Sequence, residues 1–414
     1  METRFDALAA KSQPCVYLFP VETCVTEFVR DVISLTRASL IAFLILGLIA
    51  CDDSNQSVDA PDELGPFAVG HEQLTAVDAA REDRSILVDL WYPVDDDQVQ
   101  DGPLTFYPLA GPTIGLESKV AMDDVPVSGR ENQTFLVFSH GYQGINLQSI
   151  ELMEALASHG FIVASPEHTG NAQASPTDTF DEAAANRVPD VSFLIDWMVA
   201  RNRDPEDAFY QRIDEESFGV VGNSFGASTA VGMAAGWAGA PADRRVTAIA
   251  PISVVIDGEM QLDDRPSPFA GFSQQQLAGV VVPVMLIGGT EDVNVPIGNH
   301  AIAFEQMVNA PRVYEVDVIG ANHFHFAAVC TFGQLLLDLG IEQESWPLFM
   351  ADDLIEPYNA TCSEDVFPIA EASRLQNLYV VSFFRRHMLD DVGYDQYLTT
   401  RFADTEPAIA FSVK

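Results

Sequence analysis

Positive charge is what this 414-residue chain has least of: 21 Lys and Arg stand against 61 Asp and Glu, for a formal net charge of −40. Lysine is nearly missing, with only Lys11, Lys119 and Lys414. Holding a phosphate backbone takes clustered Lys and Arg, so the balance argues against nucleic acid or an anionic surface as partner. Cysteine is scarce too: Cys15, Cys24, Cys51, Cys330 and Cys362 form no C-x-x-C pair, and none stands near histidines at zinc spacing. A structural zinc is therefore not expected, and neither is any other metal or organic cofactor. The apolar run at 39–50 is short of the roughly 20 residues a membrane-spanning helix needs. No internal repeat is visible. Apolar residues, by contrast, are plentiful at 48%, enough for a globular core.

Arg30 and Arg37 precede the run at 39–50, and Leu48-Ile49-Ala50-Cys51 closes it ahead of polar Asp52-Asp53-Ser54-Asn55. Basic residues, a short apolar stretch and a small residue before the cut are the parts of an export signal. The closing tetrapeptide resembles the lipobox of bacterial lipoproteins. It implies a lipidated Cys51 as mature N-terminus and an exported protein, tethered to the cell envelope or secreted. An uncleaved anchor and an ordinary signal peptide fit the same run. With Cys15 and Cys24 removed and Cys51 lipidated, Cys330 and Cys362 are left as an even pair. A disulfide between them would close a loop worth roughly 3 kcal/mol in the chain-entropy model; two separate buried thiols are the alternative.

Residues 1–51 thus read as a signal segment, 52–79 as a polar tether, 80–394 as one domain and 395–414 as a tail. Within the domain, Ile86 to Tyr92 reads as a strand stopped by Pro93. Phe135-Leu136-Val137-Phe138 and Phe161-Ile162-Val163-Ala164 are continuous apolar runs, the pattern of parallel strands covered on both faces. Further strands are expected at 217–221, 246–250, 280–287 and 313–318. Helical periodicity runs through Val191, Leu194, Ile195 and Met198 within 182–201, with Pro189 as a break or start. The alternation means an α/β fold with a mostly parallel central sheet flanked by helices. Residues 256–278 read as an insertion and 331–394 as a helical extension.

The chemistry starts at Gly222-Asn223-Ser224-Phe225-Gly226, a G-x-S-x-G between an apolar run and an alanine-rich stretch. A strand turning sharply into a helix there lifts a serine hydroxyl clear of the sheet, and side chains at either glycine would crowd the turn. A serine becomes a nucleophile when a base takes its proton and a third group fixes the base. Such groups belong in loops at the carboxyl ends of strands. Asp292, after the strand ending near Ile287, is the acid candidate, with Glu291 its rival. His323, after the strand 313–318, is the base candidate, with His325 its rival. His140 falls in the loop after the strand 135–138, His168 after an earlier strand and His300 in a helix. His71, His159 and His387 read as surface or core residues. An oxyanion needs two backbone N–H groups, and Phe225 and Tyr142 are placed to supply them.

At this point the chain resembles the α/β-hydrolase superfamily over about residues 80–330. It is similar to the dienelactone-hydrolase-like and platelet-activating-factor-acetylhydrolase-like esterases. The resemblance rests on Leu90-Trp91-Tyr92-Pro93, Val137 to Gly141, Ala164 to His168, Arg187 to Val191 and the elbow. Dienelactone hydrolases themselves use a cysteine, and Ser224 stands in its place. A second similarity, to bacterial cutinases and polyester hydrolases, runs through Asp292 to Pro296 and Gly320 to Phe324. It implies substrate contacts from Tyr142 and from Ile252, where many of those enzymes carry a tryptophan. The resemblance implies a monomeric serine carboxylesterase acting on a small ester, a lipid or a polyester, with a phospholipid acetylhydrolase as one variant. A surface lipoprotein using the scaffold only for binding is the alternative of another class.

Overall fold

A computed structural model describes residues 58–99, 103–260, 267–349 and 351–414. The expected signal segment, Cys51 and the start of the tether lie outside the described residues. The described strands are β1 (Ala68–Asp78), β2 (Arg84–Val94), β3 (Leu104–Ala110), β4 (Ile114–Asp123), β5 (Gln133–Ser139), β6 (Ile162–Glu167), β7 (Ile213–Asn223), β8 (Val246–Ile252), β9 (Val284–Gly289), β10 (Val313–Val318) and β11 (Ile409–Val413). They form one sheet in the order β11-β10-β9-β8-β7-β5-β6-β2-β1-β4-β3. Every neighbouring pair from β6 to β10 is parallel, and antiparallel pairs occur only on the flanks.

The central strands are apolar throughout because both faces are covered. Phe135 and Val137 of β5 enter one core and Leu136 and Phe138 the other, the period-two alternation of a strand between two helical layers. Helices α1 (Ile150–Ser158), α2 (Phe180–Arg203), α3 (Phe225–Ala235), α4 (Gln274–Ala278), α5 (Gly298–Gln306), α6 (Val329–Asp338), α7 (Ile355–Thr361), α8 (Ile369–Met388) and α9 (Thr400–Ala403) supply those layers and the extension. Helices α2 and α3 bury their apolar residues in one core, and α1 and α8 in the other. Among the described residues, no helix is long and apolar enough to cross a membrane.

Three segments differ from their sequence reading. The tether 52–79 is folded from β1 onward, since β1 pairs with β2 along its whole length from Ala68↔Val94 to Asp78↔Arg84. Its polar residues conceal a strand: His71 is buried against Asp89 and Asp123 at 2.7 and 3.0 Å. The tail 395–414 contains α9 and then β11, which closes the sheet edge against β10 from Tyr314↔Val413 to Val318↔Ile409. A half-exposed edge strand needs little apolar signal. Pro189 neither starts nor breaks α2; a Thr179–Glu182 capping box sets the start, and the helix runs on through the proline. Burial of Val188, Val191 and Leu194 around Pro189 offsets the lost backbone hydrogen bond. Residues 256–278 hold a short turn at Gly258–Met260 and the helix α4. The extension is helical and carries a Cys330–Cys362 disulfide, 5.5 Å between Cα atoms.

Candidate active site

Strand β7 ends at Asn223 and α3 begins at Phe225, leaving Ser224 alone on the bend at φ 58°, ψ −118°. Few residues other than glycine take such a φ, and the bend lifts the side chain off the sheet. The bend is held by backbone bonds: Ser224 N–H donates to Ile252 O at 2.8 Å, and Ser224 O accepts from Ala227 N–H at 2.9 Å. The glycines are demanded by packing. A Cβ on Gly226 would collide with the Ser139 carbonyl, and one on Gly222 with the Gly226 backbone.

Two loops meet beside this bend. Glu291 N–H in the loop after β9 donates to Ala321 O at 2.9 Å, tying that loop to the one after β10. His323 Nδ1 then donates to Asp292 Oδ2 at 2.7 Å, and Asp292 Oδ1 accepts Val295 N–H at 2.7 Å. The Asp292 side chain is 1% exposed and that of His323 is 10% exposed, so the carboxylate is sealed while the imidazole edge reaches solvent. Nδ1 being occupied, His323 is left with Nε2 to serve a second partner. The rivals are elsewhere. Glu291 is exposed, and His325 is turned to Asn322 and the Phe367 carbonyl.

Ser224, His323 and Tyr142 line one cleft of about 270 Å³. A larger hollow of about 450 Å³ at the β1–β4 flank, lined by His71, Tyr92 and Asp123, contains none of the three. Tyr142 packs against Phe180 and Phe225 with ring centres 5.7 and 5.4 Å away. Phe225 opens α3, and the first N–H groups of a helix have no partner within it, which suits them to an oxyanion. Among the described residues, no group of three or more His, Cys, Asp or Glu side chains is placed to hold a metal ion.

Ile252 is a correction. Its side chain is fully buried in the core shared with Ala248 and Ala250 and does not line the cleft. Residue parity along β8 turns it away from the site. Only its carbonyl contributes, by holding Ser224 N–H.

Several residues given no role by sequence reasoning hold the loop that carries Tyr142. Gln148 Oε1 accepts Gly141 N–H at 2.7 Å, and its Nε2 donates to Asn223 Oδ1 at 2.7 Å, joining that loop to the elbow. Arg187, fully buried, donates to Gly141 O at 2.9 Å and Ser139 Oγ at 3.1 Å. Burial pushes its pKa down to about 9, which still leaves it charged at neutral pH. Behind it His168 Nε2 meets Ser139 Oγ at 3.0 Å, and Nδ1 meets Asp190 at 2.9 Å. Burial, helped by the charge of Arg187, pushes the His168 pKa down to about 4. Burial alone would raise the Asp190 pKa, but hydrogen bonds from His168 and Arg84 outweigh it and hold the carboxylate ionised. The stretch Arg187 to Val191 was visible in the sequence; its contacts across the fold were not.

A family model described as Chlorophyllase matches residues 127–312, a span that includes Tyr142, Ser224 and Asp292 and stops short of His323. Among solved structures, a ferulic acid esterase from Streptomyces cinnamoneus is similar at a TM-score of 0.57 and 21% identity, over 83% of this chain and 96% of that one. No curated protein matches the chain. The mostly parallel sheet between two helical layers is the α/β-hydrolase fold. The family-model match supports a hydrolase, and the structural likeness bears on the fold.

Proposed function

We propose that the chain is a serine carboxylesterase working through an acyl-enzyme. Ser224 Oγ attacks the ester carbonyl while His323 Nε2 takes its proton, and Asp292 holds the imidazole in the tautomer that can accept it. The carbonyl oxygen becomes an oxyanion facing the N–H groups of Phe225 and Tyr142. His323 returns the proton to the leaving alcohol. Water, deprotonated by His323, then attacks the acyl group and frees Ser224. The observation that carries this reading is the sealed Asp292–His323 bond of 2.7 Å beside a serine strained at φ 58° in the same cleft. The test is hydrolysis of p-nitrophenyl acetate by wild type and Ser224→Ala. Turnover surviving in the variant sinks the mechanism; its absence in the wild type across short esters favours a binding protein.

The run at 39–50 and Leu48-Ile49-Ala50-Cys51 support export with a lipid on Cys51. Mass spectrometry of the mature protein tests this, since an unmodified Cys51 or an N-terminus elsewhere removes it.

A further inference from the structure

The wall of the cleft facing the elbow comes from the helical extension and not from the sheet. Val329 and Phe332 belong to α6, while Leu354 and Pro357 lie just before and within α7. The Cys330–Cys362 disulfide joins the first turn of α6 to the residue closing α7, so both helices that face the cleft are tied at its margin. They also share a small core. The Tyr358 ring lies over Gly333 where a Cβ would collide with it, and buried Trp346 packs edge-on against Tyr358 at 5.3 Å.

This wall is fastened to the base loop. Asn322, the neighbour of His323, donates to Ala360 O at 2.9 Å and accepts from Thr361 Oγ1 at 3.2 Å. A group resting on α7 is therefore placed relative to His323 by direct hydrogen bonds, and one on α6 through the disulfide.

The lining also has a chemical bias. Among the described residues that line it there is no Lys or Arg, and their one carboxylate, Asp353, is exposed at the rim. None of these described residues pairs an anionic substrate, and the acidic rim on a chain of net charge −40 repels one. At about 270 Å³ the cleft falls below the roughly 300–1,000 Å³ of sites that enclose drug-sized ligands.

We infer that the disulfide-tied wall is the specificity element of this cleft, and that it selects uncharged esters whose compact apolar acyl group rests on Val329, Phe332 and Leu354. The inference builds on the esterase reading above. An acyl carboxylate is rejected by Asp353, and no described lining residue offers it a cation.

The test compares kcat/KM for p-nitrophenyl acetate, butyrate and hemisuccinate. Wild type should prefer butyrate to hemisuccinate by at least about ten-fold, the scale of one or two apolar contacts or an unpaired charge. Phe332→Ala and Leu354→Ala should each lower the butyrate-to-acetate ratio by roughly ten-fold, and Phe332→Leu should restore most of it. Asp353→Lys, on an exposed side chain, should raise the hemisuccinate-to-butyrate ratio several-fold. Unchanged ratios in both alanine variants overturn the wall, and an unchanged ratio in Asp353→Lys overturns the charge rejection. A wild type that hydrolyses none of the three and takes no fluorophosphonate label fails as an esterase, and the wall falls with it. An active, labelled wild type with no acyl preference rejects the wall alone.

Discussion

Two serine–histidine–aspartate sets stand among the described residues, and their surroundings set them apart. In one, His323 bonds Asp292 at 2.7 Å and shares a cleft with Ser224. In the other, His168 bonds Asp190 at 2.9 Å and Ser139 at 3.0 Å. By its hydrogen bonds alone, the second set is fully linked. Yet Ser139, His168 and Asp190 are sealed inside the fold, and Arg187 donates to the hydroxyl that would have to attack. Ser139 ends an ordinary strand, whereas Ser224 sits on a strained bend that opens onto a cleft. A nucleophile is marked by access and backbone placement; hydrogen bonds alone do not single it out. The buried set works instead as scaffolding, fixing the strand end from which the Tyr142 loop departs.

The sharpest way to break this contrast is to remove each serine. Ser224→Ala should cut kcat by about a million-fold, as losing the nucleophile of a triad does. Ser139→Ala should keep turnover and lose stability by about 1–3 kcal/mol, because Arg187 and His168 are left with an unmet partner. Comparable turnover losses in both would erase the distinction.

The acids come next. Asp292→Asn should lower kcat by about 10⁴-fold through the wrong His323 tautomer, with little change in unfolding midpoint. Asp190→Asn should instead show itself in urea unfolding, at about 3 kcal/mol, since it strands the part-buried charges of Arg81 and Arg84 and the buried His168. Gln148→Ala bears on the joint between the two regions. Losing its bonds to Gly141 and Asn223 should lower kcat by about ten-fold with KM little changed, the scale of one hydrogen bond.

The last effect is on pH dependence. His168 has its pKa depressed from 6.5 to about 4, so the unfolded chain takes up this proton first as the medium acidifies. Its contribution to stability is full above pH 6.5 and is lost as pH falls toward about 4. In His168→Gln, urea unfolding across that window should lose about one proton of pH dependence. An unaltered slope would mean that His168 is charged in the fold.

The elbow was legible because every signal for it is local: an apolar strand, two glycines with no room for a Cβ, and a helix behind. Asp292 and His323 were legible as loop residues because buried runs, Val284 to Ile287 and Val313 to Val318, precede them. Strand β1 was hidden because His71, Glu72 and Gln73 make it polar, and their partners lie on β2 and on α2. The direction of the Ile252 side chain depended on parity in β8, which a one-residue shift reverses. Arg187 and Gln148 were unreadable for another reason: their roles exist only where α2 and the start of α1 meet the loop after β5. The wall over the cleft depends likewise on Tyr358 lying over Gly333, a contact between helices that no periodicity reports.

The most direct measurement is peptide mapping by mass spectrometry after labelling the wild type with a fluorophosphonate. The expected result is a single adduct on Ser224, absent in Ser224→Ala, with the peptide bearing Ser139 unmodified. An adduct on Ser139, or ester turnover persisting while Ser224 stays unlabelled, would contradict the assignment of the nucleophile.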